Sequence, residues 1–569
     1  MFGLLQSKQD KHRRAAAELG NRYSRHQGLH VLSVAGDDYD IGYQHGVLLR
    51  EAVARGPVPY FDRYMEKMVG SAFGPKLGGV AATVLRHTVG RRIASRFPGW
   101  ALRALDGLAD GAGMSRGVVR RAVTMPETYL WLLQLVLKSR AAPYAPRHGV
   151  PVMGCTSALA WGDATTDGKM LHGRNFDYQG VGAWDTEQAV VFHRPEGGQP
   201  YVSVAAAGIL FGGITAMNAS GLTLAVHQHM GSDAFALGGT PIGVTGDEVM
   251  RHARCLDDAR RILDDHTPIG CWTYVIGSAK EQDVLCYEVT PSHRGYVRPE
   301  GTDVWGYTNI YLDPRVSPSE RLLYPAHWRN NAARYHRAES FLRDRRGDIN
   351  GDTVARILGD CGDGSCRFEA SISMLMTVGS VIFRPDDAVV YVGTGRAPTS
   401  TRPYVAFDLM RERPREDLEP LHGGVPEHAE VIEAFDAYRD SYELYFSHDD
   451  ILGARRHMEQ ACELQPREPV YQYVAGLLAL LDGDPWAAEQ NFTRALEIGH
   501  HSSDRVAAFH FWRGRARDRL GRRQDAVADY KRALEGDCYV APAARKGLSQ
   551  PWKGGHFGIE YTLGDVPIP

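Results

Sequence analysis

The residue in this 569-residue chain best placed to do chemistry is Cys155, in the stretch PVMGCTSALAW at 151–161. A thiol is a good nucleophile, but near neutral pH it needs a base to take its proton. Gly154 precedes it, at the head of an alternating apolar run. If the Gly154–Cys155 bond were cut, Cys155 would carry its own base. A free α-amino group has a reference pKa of about 7.7–8.0, which suits a general base near neutrality. The cut has its own chemistry: the thiol attacks the Gly154 carbonyl, and the resulting thioester is hydrolysed. Glycine leaves that carbonyl accessible and tolerates strained dihedrals. The plain alternative is a buried structural thiol.

Four short motifs follow Cys155. GRNFDY supplies Arg174 and Asp177, AMNASGL supplies Asn218, YTNIY supplies Asn309 and SERLL supplies Arg321. Each has a bland reading. Arg174 and Asp177 could be a structural ion pair. Asn218 could shape the NASG turn, where asparagine is favoured anyway. Asn309 could cap a strand end, and Arg321 could be a solvated charge opening a helical block. Arg174 and Asp177 lie three apart and cannot share a face of an ideal strand, so a bulge or the strand end must bring both toward Cys155, or one of them must act without touching the thiol.

Other signals lead away from chemistry. GMSRG at 113–117 has the spacing of a serine nucleophile elbow but follows a helical pattern, so its glycines end one helix and Ser115 caps the next. His227 and His229 share a strand face without a third metal ligand, and CGDGSC at 361–366 lacks the second ligand pair of a zinc site. No phosphate-binding loop, H-E-x-x-H or dinucleotide-binding fingerprint occurs. No metal and no cofactor is expected.

Taken together, GCTSALAW and GRNFDY resemble the cysteine N-terminal-nucleophile (Ntn) hydrolases. More narrowly they resemble the acyl-coenzyme A:6-aminopenicillanic acid acyltransferase family (peptidase family C45), related to choloylglycine hydrolases. Arg174 and Asp177 match the family's R-x-x-D, AMNASGL its M-N-x-x-G-L turn and YTNIY its T-N element. GDDYDIGYQHG, GLADGAGMS and SVIFRPDDAVVYVGTGRAP extend the resemblance over roughly residues 30–410. The resemblance implies an αββα sandwich and acyl transfer through a thioester on Cys155 after self-cleavage between Gly154 and Cys155. Asn309, through its side-chain amide, and Asn218, through backbone or side chain, would donate to the oxyanion, such donors contributing about 3–4 kcal/mol each. Asp177 would hold the new ammonium, Arg174 would support the thiolate, and Arg321 would bind or orient substrate. The substrate would be a small-molecule or peptide acyl amide, or an acyl-coenzyme A. Water as acceptor makes an amidohydrolase and an amine makes an N-acyltransferase.

The elements that must position these residues follow from periodicity. Residues 1–154 read as a helical segment, 155–415 as paired strands alternating with helical blocks, and 416–433 as a linker. Such pairing predicts antiparallel sheets covered by helices, an α+β fold. Residues 434–545 carry a repeat: Ala454, Ala488 and Ala526 align, followed at four and seven residues by Met458, Phe492, Tyr530 and by Ala461, Ala495, Ala533. This looks like tetratricopeptide repeats, which bind a protein partner or brace a neighbour; a 546–569 tail follows. A repeat-borne interaction scaffold around a dead core is the non-enzymatic alternative. The chain is 43% hydrophobic and 23% charged with net charge −3, which excludes bulk attraction to nucleic acid or anionic membranes. With no secretion signal or membrane-length apolar run, a cytoplasmic location with reduced cysteines is expected.

Overall fold

The computed structural model describes residues 19–131, 154–361, 371–424 and 429–561, apart from 74, 125, 129, 230, 233, 322–324, 536, 537, 539, 556 and 560. The basic, proline-rich approach to Gly154 and all of CGDGSC after Cys361 lie outside the described residues.

Two sheets form the centre. The first runs β1 (Tyr23–His26), β2 (Leu29–Gly36), β5 (Gln188–Pro195), β6 (Tyr201–Ala206), β7 (Thr215–Asn218), β8 (Leu222–Gln228), β9 (Trp272–Ser278), β10 (Asp283–Val289) and β11 (Arg294–Val297). The second runs β12 (Val304–Tyr307), β3 (Gly154–Ala160), β4 (Leu171–Asp177), β13 (Thr377–Arg384), β14 (Val389–Gly393), β15 (Pro403–Asp408) and β16 (Arg413–Pro414), with β17 (Leu421–His422) beside β15. Neighbours pair antiparallel, as the hairpin pattern predicts, except that β2 runs parallel to β5.

Strand alternation builds the layers. Val190, Phe192, Val202 and Val204 of the first sheet meet Val381, Phe383, Val390 and Val392 of the second in one shared core. Leu159 and Met170 meet Val275 and Val284 in another. The outward faces are covered by helices. Ala338, Leu342, Val354 and Leu358 pack on Ala158, Ala160 and Ile382. On the other side, Val249, Met250, Ala259 and Leu263 pack with Val191, Ala216 and Ile276. The order is helix, sheet, sheet, helix. β3 is buried along its whole length, and its small residues GCTSALA fit between two covered faces.

The described part of residues 1–154 is mostly helical, and its two strands β1 and β2 complete the first sheet, so this segment is built into the sandwich. Asp37 then caps the helix Asp38–Leu48 by accepting from the Asp40 amide at 2.8 Å. That helix crosses Gly99–Ala112 at backbone contact. A methyl group at Gly42 would stand 1.9 Å from the Ala104 carbonyl oxygen, and one at Gly107 2.1 Å from that of Tyr39. Two glycines four apart on each helix make this approach possible. Gly113 ends the second helix with φ +70°, and Ser115 caps the next by accepting from the Val118 amide at 3.2 Å.

After β17 the chain is helical: Ala429–His448, Ile451–Leu464, Pro469–Leu481, Pro485–Ile498, Ser503–Arg519, Arg523–Arg532 and Ala541–Ser549. The expected linker thus already contains β17 and the first turns of a long helix. The nine aligned repeat residues are buried, and Gly476 and Gly514 lie where a methyl group would strike the Phe492 and Tyr530 rings at 2.6 and 2.9 Å. Small residues do face large ones, as the repeat predicts. The helix Ala429–His448 docks on the sandwich: Tyr442 donates to the Gln179 carbonyl at 3.1 Å, and Phe446 packs on Tyr60. No helix among the described residues is long and apolar enough to cross a membrane.

The glycine crossing generates a prediction. In Gly42→Ala the added methyl meets backbone, which cannot rotate away, so destabilisation should reach about 3 kcal/mol, the upper end for overpacking. Denaturant unfolding checks this, and an unchanged midpoint would refute the contact.

Candidate active site

Cys155 is the second residue of β3, paired across the ladder with Phe176 of β4. Alternation turns its Sγ to the same face as Phe176 and Arg174, toward the first sheet. Arg174 is 1% exposed. Its Nη2 lies 3.4 Å from Cys155 Sγ and donates to the Val226 carbonyl at 2.6 Å, while Nη1 donates to Ile214 and Thr215. The Asp177 backbone amide also donates to the sulfur. Burial pushes the Cys155 thiol up, and the Arg174 charge pulls back against it.

Asp177 ends β4 opposite Gly154. β4 keeps its alternation to Asp177, which therefore faces away from the thiol; the β13 register shifts beside it, between Thr377, opposite Asp177, and Gly379, opposite Phe176. Thr377 Oγ1 donates to Asp177 Oδ1 at 2.6 Å, and Oδ2 is buried without a partner. A methyl group at Gly154 would lie 3.1 Å from Asp177 Oδ2, 3.1 Å from Arg334 Nη2 and 2.9 Å from the Met374 methyl. The thiol therefore sits on one side of the strand, with Asp177 and Arg334 on the other beside the Gly154–Cys155 peptide.

The backbone nitrogen of Cys155 lies beyond the end of the β12 pairing and donates to Asn309 Oδ1 at 2.7 Å. Asn309 Nδ2 donates to the Gln228 carbonyl at 2.7 Å, so the network fixes the orientation of this amide. Arg334, 1% exposed, binds the same unit from the helix Pro325–Asp344. It donates to the Cys155 carbonyl at 2.8 Å, Thr156 Oγ1 at 2.9 Å, Asn331 Oδ1 at 2.7 Å and Asn309 Oδ1 at 3.2 Å.

No histidine serves this thiol as an obvious base. His172 and His227 both turn to Ser157, at 3.3 and 2.9 Å. Burial pushes His172 down to about 3 and His227 well below its ordinary range, so both stay neutral near pH 7. His229 stacks on Tyr311 at 3.6 Å, and no metal-binding cluster occurs among the described residues.

Cys155, Arg174, Asp177 and Asn309 are thus brought together, and two expected residues are not. Asn218 lies on β7 with its side chain engaged elsewhere. Nδ2 donates to the Met250 and Ala253 carbonyls at 3.2 and 3.0 Å, and Oδ1 accepts from the Ser220 and Leu222 amides at 3.1 Å each. It shapes its turn and holds a helix end. Arg321 is exposed and donates to the Pro318 and Glu320 carbonyls. A second arginine at the site beside Arg174 is Arg334, which the sequence reading missed. Its trace was the run NNAAR, which puts Asn330, Asn331 and Arg334 on one face of a helix.

A cavity of about 120 Å³ opens at Cys155, somewhat smaller than the ~150 Å³ engineered cavity that admits benzene. Its walls are apolar, with Phe61, Phe176, Trp184, Phe211 and Val244 prominent. Glu127, Gln228 and Trp272 add polar groups that the sequence did not mark as functional.

Comparison with known proteins bears on this arrangement. The model of the acyl-coenzyme A:6-aminopenicillanic acid acyl-transferase family matches residues 164–397, under half of the chain. The match contains Arg174, Asp177, Asn309 and Arg334 and begins nine residues after Cys155. An uncharacterized protein of Archaeoglobus fulgidus is 23% identical over 270 residues, covering 47% of this chain and 43% of that protein. The alignment thus spans less than half of the curated relative. Among solved structures, a Caenorhabditis elegans N-acylethanolamine-hydrolyzing acid amidase ortholog aligns at 14% identity and TM-score 0.31, over 41% of this chain and 93% of its own. The N-terminal domain of stress-induced protein-1 from C. elegans aligns at 18% identity and TM-score 0.20, over 22% of this chain and all of its own.

The electrostatics at Asp177 make a signed prediction. Burial raises its carboxyl from 3.8 to about 6, against the pull of Arg334, Thr377 and Arg174. Unfolding returns it to an ordinary value near 3.9. Between about pH 4 and 6 the folded state keeps a proton that the unfolded state has lost, so stability falls as pH rises through this window. In an uncleaved Cys155→Ala background, adding Asp177→Asn should remove about 2–3 kcal/mol of that fall. Denaturant titrations at pH 4 and 7 measure it; parallel curves for the two proteins would contradict the assignment.

Proposed function

We propose that the chain is a self-processing cysteine amidohydrolase of the Ntn type, with Cys155 as nucleophile. The observation that carries this reading is the hydrogen bond from the Cys155 nitrogen to Asn309, on a residue whose thiol faces Arg174. Any buried strand N–H beyond the end of its ladder needs an acceptor; here the acceptor is an oriented side-chain amide, which can hold the same nitrogen once it is a free α-amine. The family match over residues 164–397 supports the same reading.

In maturation, Cys155 Sγ adds to the Gly154 carbonyl carbon. The C–N bond breaks, its nitrogen takes a proton, and a thioester links Gly154 to the sulfur. Water hydrolyses the thioester, leaving a Gly154 carboxylate and a free amine on Cys155. In turnover that amine takes the thiol proton as sulfur attacks the substrate amide carbonyl. It then returns a proton to the leaving nitrogen, and water releases the acyl group. Arg174 stabilises the thiolate that burial disfavours. Asn309 Oδ1 orients the amine, and its second amide hydrogen is a candidate oxyanion donor. Asp177 Oδ2 is the acceptor for the new ammonium. An amine in place of water as acceptor gives an N-acyltransferase on the same residues. The C-terminal helices, read as tetratricopeptide repeats, are the surface for a protein partner.

Self-cleavage is checked by denaturing electrophoresis and intact mass. The purified protein should give fragments of 154 and 415 residues, and Cys155→Ala should give one full-length band. In Gly154→Ala the methyl strikes Met374, Arg334 and Asp177, and cleavage should slow about tenfold or more, since overpacking by about 1–3 kcal/mol reaches that factor. A full-length wild-type band after prolonged incubation would sink the self-processing claim. Acylated Cys155 found in the large fragment after brief incubation with an activated amide would establish the thioester route.

A further inference from the structure

Five buried polar atoms without hydrogen-bond partners belong to residues lining the one cavity at Cys155: Arg174 Nε, Asp177 Oδ2, Gln228 Nε2, Trp272 Nε1 and Glu127 Oε2. The first two belong to the chemistry described above. The other three stand among apolar side chains, where an unmade hydrogen bond is costly.

Glu127 is 1% exposed. Its Oε1 accepts from the Ile242 amide at 3.1 Å, at the N-terminus of the helix Ile242–His252. That bond orients the carboxyl and leaves Oε2 for the cavity. Burial pushes the acid up to about 7, so it is half protonated near neutrality. Gln228 and Trp272 are a cross-strand pair at the end of β8 and β9. Leu130, three residues beyond Glu127, packs at Gly270 beside the Trp272 indole nitrogen, which brings the Glu127 segment to this pair. An acceptor oxygen and two donor nitrogens thus line a pocket otherwise made for hydrocarbon.

We propose that Glu127 determines the specificity of this cavity by binding a hydroxyl group carried on the otherwise apolar part of the substrate. A hydroxyl donates to Glu127 Oε2 and accepts from Trp272 or Gln228. An ammonium satisfies Glu127 alone, and a methyl end satisfies none of them. This rests on the reading of Cys155 as the residue that takes the acyl group. Glu127 precedes the proposed cut, so it reaches the site from the N-terminal fragment while the nucleophile belongs to the C-terminal one.

The test uses the full-length Cys155→Ala protein, which binds without turning over. Calorimetry compares hexanamide, 6-hydroxyhexanamide and 6-aminohexanamide. The hydroxyl probe should bind at least tenfold tighter than the methyl-ended one, because a site built to bond a hydroxyl rejects its absence strongly, and the amino probe should fall between. Adding Glu127→Gln keeps an oxygen for the Ile242 amide and replaces the free acceptor with a donor. It should cut the hydroxyl advantage at least fivefold and leave hexanamide binding unchanged. A residue that only caps the helix would not move that ratio. Equal binding of all three probes, no binding of any, or an unchanged ratio in Glu127→Gln would overturn the proposal. If the hydroxyl preference holds while the wild type never acylates Cys155, the specificity stands and the catalytic reading fails.

Discussion

The site depends on one buried cation, the guanidinium of Arg334. It reaches from an outer helix to the head of β3 and holds the Cys155 carbonyl, Thr156 and Asn309 together. Burying a guanidinium is expensive unless its donors are met, and removing one partner of such a group typically costs about 3–5 kcal/mol. Its donors point in fixed directions from a planar fork. Satisfying them therefore sets the distance from β3 to the Asn309 loop. That distance puts Asn309 Oδ1 within 2.7 Å of the Cys155 nitrogen. A lysine would supply the charge without the fork, and the nitrogen would lose its oriented acceptor.

Two arginines bracket the start of β3 from opposite faces, and the difference between them divides the labour. Arg174 lies on the thiol side and opposes the rise that burial imposes on the sulfur. Arg334 lies on the peptide side with Asp177, and it is the strongest influence holding that carboxyl down against burial. Strand alternation alone separates the two environments: one residue in the ladder presents sulfur to one charge and backbone to the other. In the proposed mechanism the amine replaces a histidine base, and the nearby histidines are held neutral on Ser157.

What the sequence made legible follows the range of the interactions involved. The helix–sheet–sheet–helix order is written in paired strand runs between helical blocks. Cys155 could be placed because glycine marks the head of β3. Arg174 and Asp177 were legible only through the resemblance; the β3–β4 register sets one on the thiol's face and the other behind it, where Thr377, 200 residues away, holds it. Asn218 was expected to donate through backbone or side chain, and the NASG turn and a distant helix end use its side-chain amide. Arg321, expected to bind or orient substrate, is exposed, because local sequence cannot say which side of a turn faces inward. Arg334 and Glu127 sit in helical stretches where a charge normally marks the solvent face, and only long-range packing reverses that.

The N-terminal segment illustrates what such packing implies for a cleaved chain. Its strand β2 pairs in parallel with β5, its glycine-bearing helices lock at backbone contact, and Phe61 and Glu127 line the cavity. The β2–β5 pairing satisfies backbone groups across the proposed cut, so separating the fragments would expose a sheet edge and the apolar wall of the cavity together. The helix Ala429–His448 adds a second hold, packing Phe446 on Tyr60 and donating from Tyr442 to Gln179. The proposed cut before Cys155 would therefore change the chemistry at one nitrogen without releasing the wall of the cavity. It could be made for the sake of the amine because the fold holds both sides of that bond without it.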